Sequence, residues 1–154
     1  MSSITNLIIY STTITLSLSI ASKDKIDNKF IDGYWEYSCD LDSDYSGYIS
    51  IKNHQATIEI ASNQIYINSI LSPIKEKSDY EVYYDSADIG LGGVSILFES
   101  IDDTIPIAKI TMNDKIMTFY WFGVTNKEGD MIDILFTSLP VKEGTSLSLN
   151  KCEQ

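Results

Sequence analysis

The chain has 154 residues, enough for one domain. Its 22 acidic residues face only 11 cations, all lysine, for a net charge of −11. That balance argues against nucleic acid or an anionic membrane surface as partner, since both need a basic surface. A single histidine, His54, leaves no His-rich metal site and almost no His-based catalysis.

Residues 1–21 hold no Lys, Arg, Asp or Glu. The run LIIYSTTITLSLSIA over 7–21 ends in Ser19-Ile20-Ala21, small residues suited to signal-peptidase cleavage, and Lys23-Asp24-Lys25 follows. This predicts a signal peptide over 1–21, one domain over 22–154, and a periplasmic or secreted protein. The alternative is an N-terminal β-strand, which the alternation over 13–20 would suit. A membrane anchor is not expected, because a spanning helix needs about 20 apolar residues. Cys39 and Cys152 fit either reading: one disulfide if the chain is exported, two buried thiols if it is cytosolic.

Beyond Phe30 the pattern is that of short strands. Trp35, Tyr37 and Cys39 share one face of a first strand. Ile49 and Ile51, Ile58 and Ile60, then Ile65 and Ile67 each alternate with more polar neighbours, as in half-buried strands. Further strands are expected over 80–84, 94–99, 105–112, 115–122, 131–137 and 146–150, with turn-forming sets between them. The 24 Ile and 10 Tyr suit pleated surfaces. About eight to ten such strands are best satisfied by an all-β, antiparallel up-and-down barrel, which leaves no open edge. A sandwich is the alternative. Residues 117–122 (MTFYWF) are apolar on both faces, which predicts a strand covered on its outside as well.

Little in the chain suggests catalysis or a cofactor. Asp40, Asp42 and Asp44 open like a calcium loop, but Tyr45 and Ile51 stand where that loop needs Gly and Glu. They read as an acidic turn, and no metal is expected. Gly90, Gly92 and Gly93 follow Asp88 without either phosphate-binding pattern, and read as a flexible loop. No nucleophile with a partnered base is evident, so the chain is not expected to be an enzyme. In a strand through 80–85, Tyr80, Val82 and Tyr84 face one way and Glu81, Tyr83 and Asp85 the other. Tyrosine among carboxylates suits an interface with a cationic protein; the alternative is an ordinary strand whose tyrosines pack in the core or at its rim. Tyr83, Asp85, Asp88, Gly90, Gly92 and Gly93 are therefore the candidate partner-binding residues.

Two resemblances bear on the fold. Gly33-Tyr34-Trp35 resembles the G-x-W of lipocalins and wider calycins, in which the Trp closes one end of a ligand-holding barrel. A broader stretch is similar to the periplasmic inhibitors of c-type lysozyme: Tyr37-Ser38-Cys39, then ISIKN over 49–53 and ATIEI over 56–60, and LSLNKC over 147–152. That resemblance implies an eight-stranded barrel with Cys39 joined to Cys152. The family's S-G-x-x-Y inhibitory hairpin has no counterpart here, so the resemblance supplies no inhibitory residues. The leading expectation is an exported, non-catalytic protein that binds a basic cell-wall hydrolase or toxin and occludes its active site. That covers a lysozyme inhibitor and an immunity protein alike. A lipocalin-like carrier of a small apolar ligand and a structural envelope protein are the alternatives.

Overall fold

The computed structural model describes residues 31–40, 43–61, 65–74, 78–90 and 98–153. The expected signal peptide over 1–21, Asp42, Gly92, Gly93 and most of the expected strand over 94–99 lie outside the described residues.

Among the described residues ten strands follow in chain order: β1 (Gly33–Glu36), β2 (Tyr48–Lys52), β3 (Gln55–Ala61), β4 (Ile65–Pro73), β5 (Asp79–Ile89), β6 (Pro106–Asn113), β7 (Ile116–Trp121), β8 (Val124–Thr125), β9 (Met131–Ile132) and β10 (Thr145–Cys152). β1 to β7 pair antiparallel, each with the next, and β10 closes the barrel between β7 and β1. The fold is thus an eight-stranded up-and-down barrel, with β8 and β9 forming a separate two-stranded hairpin. Strand alternation sets the two faces. Ile49, Ile51, Ile58, Ile60, Ile67, Val82, Ile110, Met117, Phe119 and Leu149 point inward and are buried. Trp35 and Trp121 are 0% and 1% exposed, so large side chains fill the interior as expected for eight strands. The Trp35 indole donates to the carbonyl of Ile31 at 2.8 Å, which satisfies its only polar atom.

The barrel has two unlike ends. At one, tight turns join β2 to β3 and β6 to β7, and β1 begins where β10 finishes. Asn53 and His54 both adopt positive φ there, the twist that a two-residue hairpin requires. This is the turn end. At the other end lie the longer connections after β1, β5 and β7. This is the loop end.

Residues 122–144 form the largest of these connections and cover the loop end. The Thr137 and Ser138 N–H groups donate to the carbonyl of Ile60, at 2.9 and 3.3 Å. Phe136 meets Trp121 edge to face at 5.0 Å, and Leu139 and Val141 are buried beneath. Gly47 passes directly under this cap and donates to the Ser138 carbonyl at 2.9 Å. A Cβ on Gly47 would lie 2.6 Å from the Ser138 oxygen, so a larger residue would push the cap outward.

Cys39 and Cys152 form a disulfide with their Cα atoms 5.5 Å apart. Cys39 is not part of the first strand, however. β1 stops at Glu36, and the chain bends at Tyr37 and Cys39, where the Asn150 side-chain amide donates to the Tyr37 carbonyl. Other expectations also need correction. β5 is longer than expected and reaches Ile89, so Asp88 is a strand residue and not part of a loop. Phe98–Ser100 is a turn of 3-10 helix. Of 131–137 only Met131–Ile132 is strand; the rest builds the cap. The outer face of β7 is not covered, since Tyr120 is 37% exposed and stacks beside equally exposed Phe122 at 5.2 Å.

Candidate functional site at the loop end

The acidic charge is concentrated at the loop end. The described loops there hold Asp44, Glu99, Asp102, Asp103, Glu128, Asp130, Asp133 and Glu143, opposed by Lys127 and Lys142; Asp40 lies beside the Cys39–Cys152 bridge instead. At the turn end, Asp32, Asp114 and Glu153 are balanced by Lys52, Lys115 and Lys151. The barrel therefore carries a charge asymmetry along its axis, with one strongly negative face. Like-charge loops of this kind raise the local concentration of a cationic partner and speed its approach.

These loops are held by specific bonds. Lys127 donates its backbone N–H to the Ser100 carbonyl at 2.8 Å and its ammonium to the Glu99 carbonyl at 3.1 Å. Asp102 N–H donates to the Thr125 carbonyl at 2.9 Å, which ties the 98–103 segment to the β8–β9 hairpin. In the turn of that hairpin, the Asn126 side chain accepts from the N–H groups of Glu128 and Asp130, which fixes both acids outward. Thr104 donates its N–H and its hydroxyl to one Asp102 oxygen, at 2.9 and 2.6 Å. Those two bonds hold the Asp102 carboxyl below the usual carboxylate range. Thr104→Val is expected to let that carboxyl rise toward its ordinary value, and an NMR pH titration reads it; an unchanged titration would contradict this account. Because the folded value is depressed, Asp102 favours the folded state above its unfolded value, and that contribution fades as pH falls through the folded one.

Of the six candidate residues, Tyr83, Asp85, Asp88 and Gly90 are described and lie apart, and Gly92 and Gly93 fall outside the described residues. Tyr83 lies on the outer face at mid-barrel, where its hydroxyl donates to Glu81 Oε2 at 2.8 Å. That bond, before burial, raises the Tyr83 phenol. Asp85 sits at a β-bulge, since Ser69 and Asn68 pair with Tyr84 and Ser86 and skip it. It lines a cavity of about 450 Å³ at the loop end, together with Tyr84, Phe98, Glu99, Asp103 and Lys127. Burial, then Asp85 and Glu99, push the Tyr84 phenol up, so Tyr84 stays a neutral hydrogen-bonding group there. Asp88 is on the outer face and accepts from the Asn68 amide at 3.0 Å, with Thr57 donating to the same side chain. Gly90 is exposed just past the end of β5.

A second cavity at this end went unpredicted. It measures about 250 Å³ and lies in the cap, between Trp121, Gly123, Ile132–Phe136 of the sequence and 141–143. Gly123 has φ of +98°, and a Cβ there would meet Met131 Sδ at 2.9 Å and Glu143 Cγ at 3.1 Å. Glycine thus lets the two walls of this groove approach each other. No group of three or more His, Cys, Asp or Glu among the described residues could hold a metal ion. No helix among them is long and apolar enough to cross a membrane.

Site and fold together define a disulfide-bonded, closed antiparallel barrel with one acidic, loop-built face. Compared with family models, curated proteins and solved structures, the chain matches none.

Proposed function

We propose that this is an exported, non-catalytic binding protein whose acidic loop end occludes the active site of a basic cell-wall hydrolase or secreted toxin. The observation that carries the reading is the one-sided charge: eight carboxylates against two lysines in the described loops of one end, and near balance at the other. Such a face accelerates encounter with a cationic enzyme and rejects acidic partners. The disulfide is compatible with an oxidising, periplasmic or extracellular setting. The resemblance at Tyr37-Ser38-Cys39 and over 147–152 favours a lysozyme as the hydrolase. A carrier would need room inside the barrel, and Trp35, Phe119, Trp121 and the isoleucines occupy that space.

The test is lysis of bacterial suspensions by c-, g- and i-type lysozymes in the presence of the oxidised protein, at low and at physiological salt. One lysozyme type should be inhibited stoichiometrically. Reversing Asp103 and Asp130 to Lys should slow association by about tenfold at low salt and much less at high salt. Full lysis by every member of the panel would remove the lysozyme branch and leave a dedicated toxin. Inhibition indifferent to salt and to charge reversal would overturn the acidic face as the contact surface.

A further inference from the structure

We infer that the groove in the cap is an anchor site that takes one large apolar side chain of a partner segment flanked by lysine or arginine. The inference rests on the reading of the loop end as a face for a cationic protein, and names the pocket by which that face would grip it. The floor is aromatic and fixed: Trp121 is 1% exposed, and Phe136 packs edge-on against it at 5.0 Å. Ile132 and Val141 supply aliphatic walls. Leu135, at the rim, is 73% exposed, the most exposed large apolar side chain among the described residues; nearby Met131 is 53% exposed.

Apolar groups left open on a capping segment lose the stabilisation that burial would give, so their exposure here marks a contact surface more than a packing need. The volume, about 250 Å³, suits a single side chain and not a large cofactor. Charge selects the kind of segment. Asp133 and Glu143 line the groove with one lysine, Lys142, and the surrounding loops are strongly acidic. An acidic or neutral peptide would gain the apolar contact alone, whereas a basic one gains both. Anchors of this type dominate binding because they are desolvated at the centre of a polar rim.

The probe is the peptide acetyl-Lys-Lys-Leu-Lys-Lys-amide, titrated into the isotopically labelled, oxidised full chain and followed through amide chemical shifts. Shifts should centre on Gly123, Ile132, Asp133, Leu135 and Glu143. A peptide with Ser in place of Leu should bind about tenfold more weakly, the scale expected for losing one buried leucine. A peptide with Glu in place of every Lys should also bind more weakly. Leu135→Ser, at a position exposed enough not to threaten folding, should reproduce the loss. Equal binding of the Leu and Ser peptides, shifts centred on another face, or no binding at all would each overturn the anchor site. Failure of the lysozyme panel alongside selective binding of the Leu peptide would leave the groove standing and discard only the lysozyme as partner. Inhibition of a lysozyme undiminished by Leu135→Ser would discard the groove and leave the functional reading intact.

Discussion

Replacing Cys39 and Cys152 together by serine should cost about 4–5 kcal/mol of stability in the chain-entropy treatment of a cross-link. The size follows from the separation of 113 residues between them, which makes the closed loop nearly the whole described barrel. For a domain of this length that loss corresponds to a fall in Tm of roughly 10–20 °C. The comparison to make is the unfolding free energy in urea of the oxidised protein against the double variant, whose m-value should be larger because its unfolded chain is no longer cross-linked. A difference below about 1 kcal/mol would mean that the unfolded chain is already compact, so that the bridge removes little of its freedom. The bridge also bears on compartment: a protein whose folding depends on it to this degree would be weakened in a reducing cytosol.

Trp121→Ala should be nearly as damaging, at about 3–5 kcal/mol. Trp121 fills the interior beside Phe119, at 6.1 Å between ring centres, and supports Phe136 of the cap from below. Its removal opens a void that the barrel strands, tied by continuous ladders on both sides, cannot easily close. The loss should fall unevenly. Hydrogen exchange at the Thr137 and Ser138 amides, which donate to the Ile60 carbonyl, should accelerate more than exchange in the β2–β3 and β3–β4 ladders. Equal acceleration across both regions would show that the cap and the barrel open as one unit, and that Trp121 is not specifically the cap's support.

The barrel strands were legible because most of their positions alternate between a buried and a more open face, even though Glu59 and Ile107 are buried on the outer side. Ile49 and Ile51, Ile58 and Ile60, and Ile65 and Ile67 alternate with Ser50, Glu59 and Tyr66, and the closed sheet keeps that alternation. The same rule misled at Ile132, Ile134 and Phe136. Their i, i+2 spacing is that of a strand, yet most of this segment is irregular and lies across the end of the barrel, where its apolar side chains meet Trp121 and its N–H groups reach Ile60. Gly129 and Pro140 bound it closely, which leaves little room for a longer strand on either side. At β5 the reverse occurred: the strand expected to end by Asp85 runs on to Ile89, through a bulge at Asp85 and with the Asn68 side chain bonded to Ser86 and Asp88. The carboxylates of the candidate face were visible one by one in turn-forming stretches. That they gather at one end, with only Lys127 and Lys142 among them, depends on up-and-down connectivity and could be seen only once the strand order was known.

The described chain enters at Ile31 and leaves at Glu153 beside the turn end, because β1 begins where β10 finishes. A surface, bead or fusion partner joined just beyond Glu153 would therefore meet the barrel at its turn end, with the acidic loops directed away from the support. Immobilised in that orientation, the molecule would present its whole negative face to ligands in solution, whereas coupling through lysine would scatter its orientations among Lys52, Lys115, Lys127, Lys142 and Lys151.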